Sequence, residues 1–405
     1  MRDSHGAAGS VAVVSDSSPH RPLTVLLGCD TFSPDINGAA RFAERLAAGL
    51  VQRGHDVHVS APNQVYRRAR PGTEVIEGEE VTVHRLPAVP LPWHEWLRFV
   101  WPWRSKHYAR RVLDLVRPDV VHIQSHIVIG RGLAREARKR GIPVIATNHV
   151  MPENILDFTR APEWFNRFLV REEWADARRT FGMCAAVTTP TRKAADYLEK
   201  TVDVAGVIPV SCGIDMSRYT PDLSPRAERR IAFVGRLTSE KRVDDILRAA
   251  AALDGVTVEL VGDGDQRAAL EALAAELGIA DRVEFHGHVP DDELRATLTR
   301  ASVFAIASIA ELQSIATMEA MASGLPIVAA DAVALPHLVS DGENGFLFPP
   351  GDVPGLTERI RAVLEASPRE YERMQRASLS LVAVHDITRT LDTFEALYRG
   401  EELPA

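Results

Sequence analysis

ASVFAIASIAELQSIATMEAMASGLPIVAAD, residues 301–331, contains one complete strand–helix–strand unit. The runs VFAI and PIVAA are short and apolar. The segment between them, from about Ser314 to Ala322, has the composition of a buried helix that stops at Gly324. Two apolar strands joined by a helix are expected to be parallel, because a parallel connection needs a long crossover. This unit therefore predicts a layered α/β sheet.

The same alternation of strand and helix patterns continues along the chain and restarts once. Strand patterns from PLTVLLGC to AGVIPVS precede the turn-rich loop CGIDMSRYTPDLSPRAE, and strand patterns from RRIAFVGRL to GFLFPPG follow it. They predict an α/β fold with two doubly wound, Rossmann-like domains that face each other across a ligand-binding cleft. The expected segments are a disordered tail at 1–20, a first domain at 21–215, a second domain at 216–384, and a C-terminal helix at 385–405 that returns to the first domain.

Composition excludes several classes of protein. The chain has 405 residues, of which 45% are hydrophobic and 25% charged, as is typical of a soluble globular protein. Its three cysteines, Cys29, Cys184 and Cys212, form no CxxC pair, so we expect neither a disulfide framework nor a structural metal. No apolar run reaches the length of a membrane span, and the first twenty residues lack the apolar core of a signal peptide. These features predict a cytoplasmic protein.

Charge is distributed unevenly between the two halves. Residues 1–220 carry 29 basic and 24 acidic side chains, a balance of +5, whereas residues 221–405 carry 18 and 31, a balance of −13. The first half is therefore expected to favour an anionic surface that the second half would avoid. We expect no nucleic-acid partner.

Two glutamates, Glu311 and Glu319, flank the start of the predicted helix. A buried carboxylate is costly unless it is paired, and the local sequence supplies no partner, so a ligand is expected to supply one. The amides of Ser314, Ile315 and Ala316 lie at the positive end of the helix. Such an end binds phosphate.

Two cations lie on another loop at a strand end. In FVGRLTSEKRVDDIL the strand stops at Gly235 and a helix begins near Lys241, which leaves Arg236 and Lys241 on the loop. Both cations can face the cleft. The alternative is a solvated loop in which Ser239 and its neighbours form a capping box.

Four segments together resemble one enzyme family. They are the E-x7-E pair of Glu311 and Glu319 with EAMASGLPIVA, the GRLxxEK loop with Arg236 and Lys241, HLVSDGENGFLFPPGD, and DTFSPDINGAARFAERLAAGLVQRGHDVHV near the start. The pattern resembles the retaining nucleotide-sugar glycosyltransferases of the GT-B fold, glycosyltransferase family 4, and is similar to glycolipid-forming hexosyltransferases. The resemblance covers nearly the whole chain after residue 21.

The resemblance implies a role for each residue of the site. Glu311 would hydrogen-bond hydroxyls of the donor sugar, Glu319 would hold the ribose hydroxyls, and Arg236 and Lys241 would neutralise the diphosphate without a metal ion. It implies no cofactor beyond the nucleotide-sugar co-substrate and no protein nucleophile, with the acceptor bound on the side of the first domain. The expected catalytic residues are His149, Glu311, Arg236 and Lys241, and the expected donor-binding residues are Gly38, His126, Gly235, His288, Val289, Gln313, Ser314, Ile315 and Glu319.

Some of these assignments have structural alternatives. Asn37 and Gly38 also fit an ordinary turn, and His126 and His149 also fit buried residues at strand ends. Many relatives have a PFG segment after the first glutamate, whereas this chain has LQS, which leaves the identity of the sugar open.

Other motifs point to other classes of protein. Asp263 and Asp265 in VGDGD spell the DxD of metal-dependent transferases, but they directly follow a strand and fit a turn. His286 and His288 in EFHGHV have no further Cys or His nearby, which fits a base-contacting turn better than a zinc site. A nicotinamide dehydrogenase is disfavoured because no GxGxxG follows the first strand. A noncatalytic sugar-nucleotide-binding protein or a GT-B epimerase stays open as an alternative.

Two short segments bear on the acceptor. ELQS and TNHVMPENI are similar to segments of relatives that glycosylate membrane lipids such as diacylglycerol or a phosphoinositide. A soluble small molecule or a polysaccharide is the alternative acceptor. The donor base, uracil or guanine, is left open.

Residues 91–111, LPWHEWLRFVWPWRSKHYARR, hold four of the six tryptophans among several cations. Tryptophan with cations is typical of a segment at a bilayer interface, where the rings lie at headgroup depth and the cations meet anionic lipid. Alternatively the aromatic cluster packs in a core, because Pro92 and Pro102 interrupt an amphipathic helix. The residues expected to contact an anionic membrane surface, at the inner face of the membrane, are Trp93, Trp96, Trp101, Trp103, Arg104 and Lys106.

Overall fold

The computed structural model describes residues 21–64, 71–91, 94–149, 163–224, 226 and 228–404. The tail expected at residues 1–20 lies outside the described residues, as does Trp93. The described chain forms two largely parallel sheets, which confirms the predicted pair of Rossmann-like domains.

The strands of the first domain are, in chain order, β1 (Thr24–Gly28), β2 (Asp56–Pro62), β3 (Gly72–Ile76), β4 (Glu79–Leu86), β5 (Val89–Leu91), β6 (His94–Phe99), β7 (Val120–Ile123), β8 (Val144–Thr147), β9 (Ala186–Thr189) and β10 (Ile208–Pro209). The main sheet has the order β10-β9-β8-β7-β1-β2-β4-β3, and β5 pairs separately with β6. Neighbours in the main sheet are parallel except β3 and β4, which form a hairpin.

Helices cover both faces of this sheet. Along β1, Val25 and Leu27 belong to one apolar cluster and Leu26 to another, because successive side chains of a strand point to opposite faces. All three side chains are fully buried. The helices of the first domain are α1 (Gly38–Gln52), α2 (Pro102–Val116), α3 (Val128–Lys139), α4 (Glu163–Phe181) and α5 (Arg192–Val202).

The second domain is built on the strands β11 (Arg229–Val234), β12 (Val256–Val261), β13 (Val283–Gly287), β14 (Val303–Ile306), β15 (Ile327–Ala330) and β16 (Gly345–Phe348). They form a parallel sheet in the order β13-β12-β11-β14-β15-β16. The strand order reverses between β11 and β14, and ligands of such sheets bind at this kind of switch point. The helices that follow are α6 (Val243–Ala251), α7 (Arg267–Glu276), α8 (Asp291–Arg300), α9 (Ile315–Ala322), α10 (Val353–Leu364), α11 (Pro368–Val382) and α12 (Ile387–Arg399).

The last helix, α12, contacts the first domain. The hydroxyl of Tyr398 lies 2.7 Å from Nδ1 of His122 on β7, and Glu395 lies 2.5 Å from Nε2 of His55. The rings of Phe394 and Phe42 also pack, with centroids 5.9 Å apart. These contacts tie the C-terminal end of the described chain to the sheet on which it began. No helix within the described ranges is both long enough and apolar enough to cross a membrane.

Candidate functional site

A cavity of about 380 Å³ lies between the two domains. The first domain contributes the loop after β1 and the first turns of α1, and the second domain contributes the loops after β11, β12 and β13 together with residues between 311 and 319. The cavity thus lies at the carboxyl ends of strands from both sheets. The predicted site residues that line it are Gly38, Gly235, Arg236, Lys241, His288, Val289, Glu311, Gln313, Ser314, Ile315 and Glu319.

Glycines form part of the cavity wall at the ends of three neighbouring strands. Gly235, Gly262 and Gly287 lie at the ends of β11, β12 and β13. Gly262 has φ +129°, and a Cβ atom there would lie 1.9 Å from the carbonyl oxygen of Gly235. A side chain at residue 262 would therefore force the two strand ends apart, whereas glycine leaves their backbone open to a ligand.

The predicted helix start is formed as expected from the sequence. Ser314 is the N-cap of α9, and its hydroxyl accepts a hydrogen bond from the backbone N–H of Thr317 at 3.2 Å. Ser314, Ile315 and Ala316 line the cavity. The positive end of the helix therefore faces the space where an anionic group would bind.

The structure supplies a protein partner for Glu311. The ammonium of Lys241 lies 2.5 Å from Oε1 of Glu311, and both side chains are largely buried. Arg236 lies on the same loop and donates to Glu240 at 3.2 Å. A ligand is therefore not the sole partner of Glu311, and the partner in the protein comes from the end of another strand rather than from the local sequence.

Glu319 also has a protein partner, and that partner lies in the other domain. Nη2 of Arg45 on α1 donates to Oε1 of Glu319 at 2.5 Å. Glu319 lines the cavity, and the local sequence did not indicate this partner. A ligand that hydrogen-bonds to Glu319 must therefore share the carboxylate with Arg45.

Two further details concern the alternative given for the loop after β11 and the partners of one predicted donor-binding residue. Lys241 ends a short 3₁₀ turn, and α6 begins without a side-chain cap, so the capping box around Ser239 is not formed. Gln313 lines the cavity, but its Oε1 accepts from the backbone N–H of Cys212 at 2.7 Å and its Nε2 donates to Ser211 at 3.1 Å. Gln313 therefore hydrogen-bonds to the start of the linker between the domains and also lines the cavity.

Of the three predicted histidines, His288 lines the cavity, whereas His126 and His149 are not among the described residues that line it. His126 packs between Trp174 and Phe181, and burial lowers its pKa to about 4. His149 packs against Phe42 with ring centroids 4.7 Å apart, and burial lowers its pKa to about 3. Both imidazoles are therefore neutral near pH 7. The catalytic role of His149 and the role of His126 in donor binding stay predictions.

Cavity residues that the sequence did not single out lie on α1 and at the start of α8. Arg41 pairs with Glu77 at 2.9 Å and with Asp291, while Arg218 pairs with the same two carboxylates. Glu44 also lines the cavity, and burial raises its pKa to about 7. The spacing of these residues in the sequence could have indicated them, because Arg41 and Glu44 follow Gly38 by about one and two helical turns and so lie on the same face of α1.

The two motifs that resemble metal sites are engaged in other interactions. Asp263 accepts from the backbone N–H of Gly264 at 2.8 Å, as expected of a turn. His286 lies beside the fully buried Glu259, but this carboxylate already pairs with Arg230 at 2.7 Å and with Arg300. Two guanidinium groups on one carboxylate do not fit a site for a divalent cation.

Comparison with known proteins agrees with this geometry. Residues 36–218 match the family described as Glycosyltransferase Family 4, and residues 221–379 match Glycosyl transferases group 1. The chain is 30% identical over 363 residues to the MMP alpha-(1->4)-mannosyltransferase of Mycolicibacterium hassiacum, across 83% of this chain and 88% of that protein. It is 29% identical over 345 residues to a GDP-mannose-dependent alpha-mannosyltransferase of Mycobacterium tuberculosis, across 82% of this chain and 85% of that protein.

Solved structures show the same fold. The sucrose-phosphate synthase of Thermosynechococcus elongatus superposes with a TM-score of 0.78 and 19% identity, across 94% of this chain and 99% of that one. The fold, the cavity at the strand ends and the sequence relatives all lead to one family. The chain is a glycosyltransferase of family 4 with the GT-B fold, which takes its sugar from a nucleotide-sugar donor.

Proposed function

We propose that this enzyme transfers a hexose, with retention of anomeric configuration and without a metal ion, to a hydroxyl of a membrane lipid such as diacylglycerol or a phosphoinositide. The observation that supports the donor side of the proposal is the pairing of Lys241 with Glu311 beside the positive end of α9, whereas the lipid acceptor rests on the start of α2. One wall of the cavity thus offers fixed positive charge for a diphosphate, and a carboxylate next to it for sugar hydroxyls.

In this mechanism the acceptor oxygen bonds to the anomeric carbon as the bond to the diphosphate oxygen breaks on the same face. The leaving diphosphate takes the proton of the acceptor hydroxyl, so no protein nucleophile is needed. Arg236 and Lys241 stabilise the charge that develops on the diphosphate, which lowers the barrier because the cations are already in place. Glu311 holds sugar hydroxyls, and Glu319 holds the ribose.

The donor that we favour is GDP-mannose. The support is the relative named GDP-mannose-dependent alpha-mannosyltransferase, which matches most of this chain. A UDP-linked hexose is the alternative, because the residues that line the cavity do not by themselves select one base.

A ligand screen tests the donor. GDP-mannose and GDP should raise the melting temperature more than UDP-glucose and UDP, because a ligand present at a hundred times its Kd stabilises the folded state by about 2.7 kcal/mol. Mannose alone serves as the control and should cause no shift. A larger shift with UDP-glucose would replace the proposed donor, and no shift with any nucleotide would contradict the assignment of the cavity.

Sugar transfer only in the presence of a lipid acceptor would exclude a binding protein or an epimerase.

The membrane proposal rests on the start of α2. Trp101 stacks on Trp103 with centroids 4.6 Å apart, and Trp103 is 71% exposed next to the exposed cations Arg104 and Lys106. Pro102 is the first residue of α2 and β6 precedes it, so no single helix runs through residues 94–111, in agreement with the expectation from sequence. Peripheral binding at the inner face of the cytoplasmic membrane would bring the lipid hydroxyl to the cleft. The side chain of Trp96 lies outside the described residues.

Sedimentation with anionic liposomes tests this surface. Changing Trp101, Trp103, Arg104 and Lys106 together to Ser should lower the bound fraction several-fold, since both apolar insertion and charge attraction are removed. Arg178 and Arg179 are exposed on α4, and a control variant in which both are changed to Ser should bind liposomes like the native chain. Equal binding by all three proteins, or no binding by the native chain at low salt, would favour a soluble acceptor.

A further inference from the structure

Arg45 and Glu319 form a buried ion pair across the domain boundary. Arg45 lies on α1 of the first domain and Glu319 on α9 of the second, and their side chains are 8% and 6% exposed. Burial lowers the pKa of Arg45, but the charge of Glu319, the hydrogen bond that it accepts from Arg45 and the nearby Tyr219 and Glu77 together raise the pKa. Arg45 therefore stays charged in a largely buried position.

Stability alone explains this pair poorly. The cost of removing two charges from water roughly cancels their attraction, and apolar residues of similar size often stabilise a protein as well or better. In addition, Nη1 of Arg45 is buried without a hydrogen-bond partner among the described residues. A buried donor without a protein partner costs free energy, which a pair that served stability alone would avoid.

The position of the pair connects it to the donor. Glu319 lines the cavity. On α1, Arg41 and Glu44 also line it, and both lie within about one helical turn of Arg45. Tyr219 lies near the same carboxylate, and burial together with the charge of Glu319 raises the pKa of its hydroxyl. The hydrogen bond from Arg45 therefore restricts the orientation that the carboxylate presents to the cavity.

We propose that Arg45 is a positioning residue for nucleotide binding: it reaches across from the first domain, holds the Glu319 carboxylate in the orientation that accepts the ribose hydroxyls, and so makes nucleotide affinity depend on closure of the two domains. The inference rests on the proposed role of Glu319 in donor binding. In an open form Glu319 would lose this partner. Because binding and closure are linked, a nucleotide that needs the oriented carboxylate stabilises the closed form.

A double-mutant cycle on nucleotide affinity tests the inference. Calorimetric titration with GDP and with UDP compares the native enzyme with Arg45→Met, Glu319→Ala and the double variant. Arg45→Met and Glu319→Ala should each lower the affinity for the nucleotide that the native enzyme binds more tightly by about tenfold or more. This loss is expected when a ligand loses a charge-assisted hydrogen bond. The double variant should bind no more weakly than Glu319→Ala, because Arg45 acts through Glu319.

Two more variants separate positioning from folding. Arg45→Lys keeps the charge but loses the fork of donors, so its affinity should lie between those of the native enzyme and Arg45→Met. Arg131→Met is the matched control, since it removes a guanidinium that lies 2.5 Å from the buried carboxylate of Asp176 away from the cavity. It should leave nucleotide affinity unchanged. If Arg45→Met fails to fold, Arg45→Lys with and without Glu319→Ala completes the cycle.

The outcomes distinguish this inference from the proposed function. Unchanged affinity in Glu319→Ala would remove Glu319 from the donor site, and with it both the proposed donor site and the inference. Weaker binding in Glu319→Ala but native binding in Arg45→Met and Arg45→Lys would overturn the inference alone. Additive losses in the double variant would also overturn it, because Arg45 would then act independently of Glu319.

Discussion

Lys241→Ala should lower kcat by roughly a hundredfold or more, an increase of about 2.7 kcal/mol in the barrier, while leaving both domains folded. Lys241 lies on the loop after β11 and lines the cavity beside Glu311. Its charge stabilises the transition state more than the ground state, since negative charge grows on the diphosphate as it leaves. Arg236→Ala should have an effect in the same direction. The rate is measured as release of nucleoside diphosphate, with diacylglycerol in detergent micelles as acceptor.

The control for Lys241→Ala is Arg376→Ala. Arg376 is a cation of the same domain that pairs with Glu372 at 2.7 Å on the surface, so its loss should change neither kcat nor the melting temperature appreciably. Activity near the native level in both Lys241→Ala and Arg236→Ala would contradict the proposed electrostatic mechanism. The assay is repeated in EDTA. Activity that is lost in EDTA and restored by Mg²⁺ or Mn²⁺ would contradict a metal-independent reaction.

The fold could be predicted from the sequence because buried parallel strands appear as short apolar runs. VFAI became β14 and IVAA became β15, and the eight residues of these two strands are fully buried or nearly so. Apolar runs of this length separated by helical patterns admit few arrangements other than a parallel sheet covered by helices. The helix between them begins at Ile315 with Ser314 as its cap, close to the start expected from composition.

Within the site, the sequence predicted which strand-end residues of one sheet share the cleft, but it predicted neither their contacts with each other nor the contacts between domains. Lys241 and Glu311 are 70 residues apart, yet both follow strands of the same sheet, so the topology places them at one edge. Arg45 and Glu319 are 274 residues apart and lie on different domains. No periodicity in the sequence encodes how the two sheets face each other, so the partner of Glu319 could not be inferred.

Glu311→Gln should separate catalysis from nucleotide binding. We expect kcat to fall roughly a hundredfold, because the amide keeps the shape of the side chain but loses the charge that would strengthen its hydrogen bonds to the sugar hydroxyls. The affinity for GDP should stay the same or increase. The reason is that Lys241, which now shares its charge with Glu311 at 2.5 Å, would be left free to bind the diphosphate. The two quantities are measured as steady-state kcat and as the calorimetric Kd of GDP.

Glu319→Ala provides the opposite pattern, since its proposed partner is the ribose and its loss should mainly raise the Kd of GDP. The two variants together distinguish two carboxylates on either side of one helix start, which a general loss of folding would not do. If Glu311→Gln raised the Kd of GDP as much as Glu319→Ala does, the division between a sugar-binding and a ribose-binding carboxylate would be wrong. If Glu311→Gln kept native kcat, Glu311 would serve only to hold Lys241, and the sugar hydroxyls would have to be bound by other groups in the cavity.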